Sequence, residues 1–270
     1  MIKEEFLKEW KAEYPWANEF VEQDLIIARS LVEMFSDDLL RSSLAFRGGT
    51  ALHKLFIKPQ VRYSEDIDLV QIRHEPINPV LKRIREVLSF LGQKRIVKQK
   101  LHNNVVVYHF DTEIPPVINM RLKIEINTRE HLNLLGLQKI PFEVQNGWFS
   151  GKCNITTYPL EELLSTKFKA LYGRKKGRDL FDMYWALTHC EFDIDKLLYC
   201  CREHYKFAEL KYPTDKQFIL NMEEKLSDYE YVNDIYSIIR SDIDYNPHRA
   251  WDLVKEKFRI EKQSSGKLKI

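Results

Sequence analysis

Two short stretches decide the predicted fold: FRGGTALHK at residues 46–54 and RYSEDIDL at residues 62–69. In the first, Gly48 and Gly49 predict a turn, because glycine adopts backbone conformations that other residues avoid. We expect Thr50 to cap a short helix that follows this turn. The second stretch has the period-two pattern of a strand. Together they predict a strand–glycine turn–helix unit followed by a second strand.

The strand predicted over residues 63–70 carries two acidic side chains on one face. Asp66 and Asp68 are two residues apart, so both point to the same side, with their backbones ~6.6 Å apart. Two carboxylates ~5 Å apart repel by about 3 kcal/mol at an effective dielectric constant of 20. A divalent cation removes this repulsion, and Mg²⁺ binds one or two carboxylates together with substrate phosphates. We therefore predict a Mg²⁺ site, with Mn²⁺ as the other candidate.

The tripeptide Asp-Ile-Asp is a weak signal alone, since it occurs at residues 66–68, 193–195 and 242–244. The last two copies lie in helical sequence, where residues two apart do not share a face, and we interpret them as solvated acids or caps. Only the first copy follows a glycine turn, whose backbone N–H groups attract phosphate. Carboxylates that hold metal beside such a turn are typical of phosphoryl transfer.

The remaining pattern predicts an α+β fold with a mixed sheet, preceded by helices and followed by a helical half. Further strands are predicted over residues 94–101, 105–111 and 117–127. Helices are predicted over residues 3–14, 17–36, 78–91, 159–172, 178–189 and 195–204, with more to about residue 262. The change of period near residue 158 predicts a core domain, residues 1–158, and a helical domain, residues 159–270. We expect the helical domain to complete a cleft for a nucleotide.

A second motif, KFKALYGRKKGRDLFD, occupies residues 167–182. The two motifs together resemble the polymerase-β nucleotidyltransferase superfold, and specifically the AbiEii/AbiGii toxins, including the MenT-type enzymes. The pattern K-x-x-A-L-x-x-R-x-x-x-R-D-x-x-D of these toxins is present at every specified position. The resemblance covers about residues 46–182, while the N-terminal helices and the last ~90 residues contribute little to it.

The resemblance implies roles for most polar residues of the two motifs. The implied catalytic residues are Asp66, Asp68, Lys167 and Asp179. The implied nucleotide-binding residues are Gly48, Gly49, Thr50, Lys54, Arg62, Ser64, Arg174, Arg178 and Asp182. The implied metal ligands are Asp66, Asp68 and Glu125, the last because it lies on the polar face of the strand at 117–127, where the superfold carries a third carboxylate.

Three of these assignments have a structural alternative. The second motif could form an ion-pair network between Arg178, Asp179 and their neighbours that ties two helices together. Glu125 could be an ordinary strand residue paired with Lys123. The Ser64 hydroxyl could bind local backbone. Both interpretations stay open at this point.

By resemblance, the chain transfers a nucleoside monophosphate from a nucleoside triphosphate to an acceptor hydroxyl and releases pyrophosphate. The implied acceptor is RNA, specifically the 3′ end of tRNA, and the implied protein partner is a cognate antitoxin. A non-catalytic member that binds RNA or protein is one alternative. An enzyme with the same donor chemistry that modifies a small molecule is the other.

Composition fits a globular protein, with 44% hydrophobic and 30% charged residues and a net charge of +2. Basic residues cluster between residues 81 and 102, with seven Lys or Arg against one acid, and between 152 and 180, with seven against three. These clusters suit a phosphate-bearing ligand or a solvated face. The four cysteines form no CxxC pair, and no stretch approaches the ~20 apolar residues of a membrane span. We therefore expect a cytoplasmic protein.

Overall fold

The computed structural model describes residues 2–13 and 18–261, and the chain divides into two compact units between Pro159 and Leu160. The first unit contains a mixed β-sheet with helices, and the described part of the second consists of helices joined by turns and loops. The predicted α+β class is therefore confirmed. The expected ends of the first two helices, at positions 14 and 17, lie outside the described residues.

The first unit is built on seven strands. The strands are β1 (Leu44–Arg47), β2 (Asp66–Gln71), β3 (Arg95–Gln99), β4 (Asn103–Asp111), β5 (Asn119–Asn127), β6 (Gln138–Gln145) and β7 (Ser150–Thr157). Its helices are α1 (Glu4–Glu13), α2 (Asn18–Ser36), α3 (Asp38–Ser43), α4 (Gly48–Ala51) and α5 (Asn78–Val87). A π-helical turn, Leu52–Phe56, continues α4, and a 3₁₀ turn, Ser89–Leu91, follows α5.

The sheet has the strand order β3-β4-β5-β2-β1-β7-β6. The β2–β5 and β1–β7 pairs are parallel and the other neighbouring pairs are antiparallel. Strand β2 is therefore central, with Ile67 fully buried between its neighbours. On β5, the apolar residues Leu122, Ile124 and Ile126 are fully buried and alternate with half-buried or exposed polar residues. This confirms the alternation predicted from the sequence and places Glu125 on the polar face.

The second unit contains six helices among its described residues: α6 (Leu160–Gly173), α7 (Gly177–His189), α8 (Ile194–Phe207), α9 (Asp215–Leu226), α10 (Tyr229–Asn233) and α11 (Pro247–Phe258). Its core is aromatic, with the ring of Phe168 stacked on Phe218 and Phe258 at centroid distances of 4.9 and 4.6 Å. Such contacts join helices that are far apart in sequence. Across both units, none of the helices described is long and apolar enough to cross a membrane.

The two later Asp-Ile-Asp copies behave as the sequence predicts. Asp193 is the N-cap of α8, and its side chain accepts a hydrogen bond from the backbone N–H of Lys196. Asp242 is largely exposed and pairs with Arg240 at 2.7 Å. Neither copy lies on a strand, so only the first presents two carboxylates on one face.

The expected capping role of Thr50 is wrong. Helix α4 begins two residues earlier, at Gly48, and its N-cap is Arg47. Thr50 therefore lies inside the helix, fully buried, and its hydroxyl group binds other residues. The two glycines that were predicted to form a turn are instead the first two residues of α4.

The sequence pattern also did not predict strands β6 and β7. Strand β6 contains Pro141, and β7 begins with Ser150, Gly151 and Lys152, all residue types that are uncommon in strands. Proline is tolerated in β6 because this strand lies at the edge of the sheet, where one side of the backbone needs no partner.

Candidate active site

The turn at Gly48 lies directly against Asp68. Arg47, the last residue of β1, is opposite Asp68 on the antiparallel strand β2, so the turn begins beside this aspartate. Gly48 has a φ of +81°, and a Cβ atom added to it would lie 2.2 Å from Asp68 Oδ2. Only glycine tolerates both this conformation and this approach. The glycine thus brings the backbone into contact with a carboxylate.

Thr50 and Ser64 connect the turn to the strand that bears the aspartates. The Thr50 hydroxyl group donates to the backbone carbonyl of Asp66 and lies 2.7 Å from the Ser64 hydroxyl group. Both hydroxyl groups are thereby engaged within the protein. Ser64 thus contacts a side chain and not the local backbone of its structural alternative, and its nucleotide-binding role stays a prediction. The bond to the Asp66 carbonyl gives Thr50 a positioning role at the start of β2.

Three carboxylates lie on one face of the two central parallel strands. Asp66 and Asp68 are on β2, and Asp68 is directly opposite Glu125 on β5. Lys123 lies opposite Asp66, and its Nζ is 3.0 Å from both Asp66 Oδ2 and Glu125 Oε2. The structure therefore brings all three predicted metal ligands together, with the ammonium group of Lys123 between two of them.

The charges of this cluster shift its pKa values. Burial raises the pKa of Asp68 above its ordinary value, and the nearby carboxylate of Asp66 raises it further. Burial also acts on Glu125, but hydrogen bonds from Asn103 and Lys123 outweigh it and lower the pKa of this carboxyl. Burial disfavours charged Lys123, yet its hydrogen bonds to the two carboxylates raise its pKa above the usual range. The charged form of Asp68, unlike that of Glu125, is thus disfavoured in this cluster.

The chemistry of this cluster fits a divalent metal ion. Carboxylate oxygens are the ligands that Mg²⁺ and Mn²⁺ take in proteins. One cation, the Lys123 ammonium, already contacts Asp66 and Glu125, so two of the carboxylates are close enough to share a positive ion. Among the residues described, however, no three acidic, His or Cys side chains are arranged ready to hold a metal ion. The ligand types therefore fit, while Lys123 fills the space between two of them.

Three polar residues around the carboxylates were not predicted. Arg47 binds Glu130 through an ion pair of 2.8 Å, beside Asp68. Asn103, on β4, donates a 2.6 Å hydrogen bond to Glu125. The position of Arg47 next to the glycine turn was a usable signal. The position of Asn103 follows only from the register of β4 against β5, which the sequence does not reveal.

Lys54 and Arg62, both predicted to bind nucleotide, are buried in the first unit. Lys54 Nζ is 2.6 Å from Asp24 Oδ2, and the two side chains are 2% and 0% exposed. Lys54 also lines a cavity of about 770 Å³ whose wall includes none of the predicted metal ligands. Arg62 is 1% exposed and donates to the backbone carbonyl of Tyr63 at 2.9 Å. These contacts give both residues structural partners, and their nucleotide-binding roles stay predictions.

The second motif forms a buried ion-pair network within the second unit. Lys167 Nζ lies 3.0 Å from Asp179 Oδ1 and 2.9 Å from Asp182 Oδ2, and both aspartates are fully buried. Arg174 binds the two oxygens of Asp179 at 2.6 and 2.8 Å. The ion pairs of Lys167 join α6 and α7, as the structural alternative for the motif expects. The structure thus brings together four of its five predicted residues.

Arg178, the fifth residue of that motif, has a different partner. Its backbone N–H and its Nε both donate to Asp234 Oδ2, at 3.2 and 3.4 Å. The preceding Gly177 is packed so tightly that an added Cβ atom would lie 2.2 Å from the backbone oxygen of Tyr231. The start of α7 is therefore anchored to residues near α10.

A family model described as "Nucleotidyl transferase AbiEii toxin, Type IV TA system" matches residues 29–258 of the chain. The chain belongs to the AbiEii family. Both motifs lie within the matched residues, so the resemblance predicted from them is confirmed. Membership of the AbiEii family supports a transferase activity and places the chain among the toxins of type IV toxin–antitoxin systems.

Solved structures of nucleotidyltransferase-like proteins share the fold of this chain. MenT4, a nucleotidyltransferase toxin of Mycobacterium tuberculosis, is similar with a TM-score of 0.66 and 14% identity, over 96% of this chain and 89% of that one. JHP933 of Helicobacter pylori is similar with a TM-score of 0.56 and 18% identity, over 90% of this chain and 95% of that one. No curated protein matches the sequence significantly.

One of the two basic stretches that suit a phosphate-bearing ligand has four exposed lysines in the first unit. Its exposed lysines have no ion-pair partner in the part of the chain that the structure describes; they are Lys82, Lys94, Lys98 and Lys100. By contrast, Arg83 in the same stretch pairs with Asp37 at 2.7 Å and Glu86 at 2.9 Å. The four lysines, here called the lysine surface, leave positive charge uncompensated on α5, on β3 and beside β3.

Proposed function

We propose that the chain is a metal-dependent nucleotidyltransferase that transfers a nucleoside monophosphate from a nucleoside triphosphate to a hydroxyl group of RNA. The 3′ end of tRNA is the proposed acceptor. In this reaction the acceptor oxygen attacks the α-phosphorus. The bond between that phosphorus and the bridging oxygen breaks, and pyrophosphate leaves with the bond electrons.

One observation carries this proposal: Asp68 lies in contact with the Gly48 turn and directly opposite Glu125 on the neighbouring strand. Phosphoryl transfer depends on positioning and charge neutralisation more than on covalent chemistry by the protein. A backbone turn that approaches an acidic cluster offers both, since its N–H groups face anions and the carboxylates attract a metal. An ordinary structural pair of aspartates has no need of this approach.

The residues of the chain have separate tasks in this proposal. Asp66, Asp68 and Glu125 would hold the metal ion, which would neutralise charge on the triphosphate and polarise the attacking hydroxyl group. The turn at Gly48 lets backbone N–H groups reach a phosphate oxygen. Thr50 fixes the turn against β2 through its hydrogen bond to the Asp66 carbonyl. The glycine turn and the carboxylates thus form one unit.

The residues of the second motif differ in their exposure to solvent. Lys167 and Arg174 hold Asp179 in a buried network, which supports a role in organising the helical unit. Arg174 remains 54% exposed. It is therefore the most accessible member of the network, and its predicted nucleotide-binding role stays a proposal.

The lysine surface supports an RNA acceptor. Uncompensated lysines bind phosphate backbones without reading sequence, and such binding weakens as salt rises. Transfer to RNA should therefore lose efficiency with increasing salt, more than the binding of the triphosphate does. Membership of a toxin–antitoxin family further supports a cognate antitoxin as the protein partner.

The test is incubation of the purified protein with each labelled triphosphate, Mg²⁺ and total RNA. We expect label in RNA with the wild type and none with Asp66→Ala, which should remain folded because Asp66 is part-exposed. Asp195→Ala is the matched control, since Asp195 ends another Asp-Ile-Asp tripeptide and is exposed. This control should transfer label like the wild type.

Other outcomes would select the alternatives. Label in a small product and not in RNA would identify a nucleotidyltransferase with a small-molecule acceptor. Failure of the folded wild type to transfer label from any of the four nucleotides would favour a non-catalytic member that binds RNA or protein. Equal transfer by the wild type and Asp66→Ala would refute the proposed site.

A further inference from the structure

Lys123 lies where a cation-binding carboxylate cluster would be expected to hold its cation. Its Nζ is 3.0 Å from Asp66 Oδ2 and 3.0 Å from Glu125 Oε2. The three side chains are each about one-third exposed, so water only partly screens these contacts. Lys123 is thus part of the carboxylate cluster, with direct contacts to two of its members.

The geometry of the strands places Lys123 there without strain. Residues 123 and 125 of β5 share a face, and they lie opposite Asp66 and Asp68 of the parallel strand β2. An ammonium group at position 123 therefore reaches one carboxylate across the strands and one along its own strand. The resulting bridge spans two neighbouring strands at the level of the predicted site.

The charge of the cluster shows why a bridge is needed. Three carboxylates face one another, and Arg47, the other nearby cation, is already paired with Glu130. Without Lys123, the repulsion between Asp66, Asp68 and Glu125 would lose the cation that contacts two of them, and the attraction of Arg47 would remain. The lysine therefore bridges Asp66 and Glu125 and holds these two carboxylates at a fixed spacing.

A metal ion would need the oxygens that Lys123 now contacts. Asp66 Oδ2 and Glu125 Oε2 cannot both bind a divalent cation at about 2.1 Å and keep an ammonium group at its present distance, because the two cations would repel strongly. We propose that Lys123 is a positioning residue that occupies the metal position in the free protein and competes with the metal ion for it. This inference rests on the proposed function of the same carboxylates.

The competition has a consequence for metal loading. A divalent ion alone must displace an ammonium group, so the free protein binds it weakly. A triphosphate that arrives with its own metal ion supplies phosphate oxygens as further metal ligands, and its own contacts with the protein add to the binding free energy. Lys123 thereby couples metal occupancy to arrival of the nucleotide and keeps the cluster from holding metal in its absence.

The experiment measures Mn²⁺ affinity in the full chain without nucleotide, from the electron paramagnetic resonance signal of free Mn²⁺. Lys123→Met removes the charge and keeps the length of the side chain. We expect it to bind Mn²⁺ at least about tenfold more tightly than the wild type, because two carboxylates are released and one repulsive charge is lost. Lys123→Arg should bind Mn²⁺ as weakly as the wild type.

Two further variants make the result specific. Lys139→Met changes an exposed lysine on β6 and should leave Mn²⁺ affinity unchanged. Adding Asp68→Asn to Lys123→Met should remove the gain in affinity, since the metal ion would lose a ligand. Circular dichroism melting curves establish that each variant is folded, and a merely structural role for Lys123 would not raise metal affinity.

The outcomes separate this inference from the function on which it rests. Equal or weaker Mn²⁺ binding by folded Lys123→Met, or a gain that persists with Asp68→Asn, would overturn the competition. If label transfer still depended on Asp66, the proposed function would stand without it. Absence of any label transfer would overturn the proposed function, whatever the Mn²⁺ affinities show.

Discussion

Substituting Gly48 with alanine tests the candidate site at its tightest contact. The substitution adds a single methyl group, 2.2 Å from Asp68 Oδ2 and 2.9 Å from Asp68 Cβ, at a residue with a φ of +81°. It therefore has two separable effects. One is backbone strain at Gly48, and the other is displacement of the Asp68 carboxylate.

Each effect has its own magnitude. A non-glycine residue in the left-handed region costs about 1–2 kcal/mol of unfolding free energy. Relief of a 2.2 Å contact to a normal carbon–oxygen distance requires a shift of the Asp68 carboxylate by about 1 Å. A displacement of about 1 Å in a catalytic group costs roughly 100-fold in rate. We therefore expect Gly48→Ala to lower kcat/KM about 100-fold.

The chain provides a matched control in Gly92. This glycine also has a φ of +81°, but no atom lies within 4 Å of the position of an added Cβ. Gly92 has a ψ of −170°, a backbone region that only glycine adopts readily, so Gly92→Ala should lose about 1–3 kcal/mol of unfolding free energy from strain alone. Its label transfer should equal that of the wild type. Urea unfolding and the label-transfer assay on both variants separate strain from displacement of the carboxylate.

Similar rates of label transfer by the two glycine variants would refute this prediction. Activity of Gly48→Ala within about threefold of Gly92→Ala would mean that the contact with Asp68 does not set the geometry of the reaction. Loss of activity in both variants to the same extent would attribute the effect to stability. Either result would remove the main support for a site at this turn.

The second unit gives two further predictions. Lys167→Met should lower the unfolding free energy by about 3–5 kcal/mol in urea titrations, because it leaves the fully buried Asp179 and Asp182 with less positive charge beside them. The control Lys196→Met, at an exposed residue, should change the unfolding free energy by less than about 0.5 kcal/mol. An unchanged unfolding free energy in Lys167→Met would contradict the buried network. Burial lowers the pKa of Lys225 from 10.5 to about 8, so the unfolded chain binds more protons between these values. The wild type should therefore gain stability relative to Lys225→Met as pH rises from about 8 to 10.5, and a difference independent of pH would show that this lysine titrates normally.

The sequence predicts much of the fold because its strongest patterns are local. The alternation on β5 and the helical spacing of the second unit identify these elements without tertiary information. Strands β6 and β7 escape prediction because their apolar residues are interrupted by Pro141, Gly151 and lysines. Their strand conformation depends on pairing with each other and on the parallel contact of β7 with β1.

The candidate site was predictable to the extent that its residues share a strand or a turn. Asp66, Asp68 and the glycine turn are close in sequence, and Glu125 was identified from its position on a polar face. The bridging role of Lys123 was visible only as a pairing with Glu125 along one strand. Its contact with Asp66 depends on the parallel register of β5 with β2, which no local pattern encodes.

The parallel pairing of β1 with β7 has a consequence for how the protein is made. Strand β1, which leads into the Gly48 turn, has β7 as its second neighbour, and the Thr157 hydroxyl group donates to the Phe46 carbonyl at 2.7 Å. During translation, β1 therefore lacks this neighbour until more than a hundred further residues have been synthesised, which takes on the order of 10 s at ordinary elongation rates. A nascent chain carries both aspartates long before the ribosome has released the strand that secures the turn beside them.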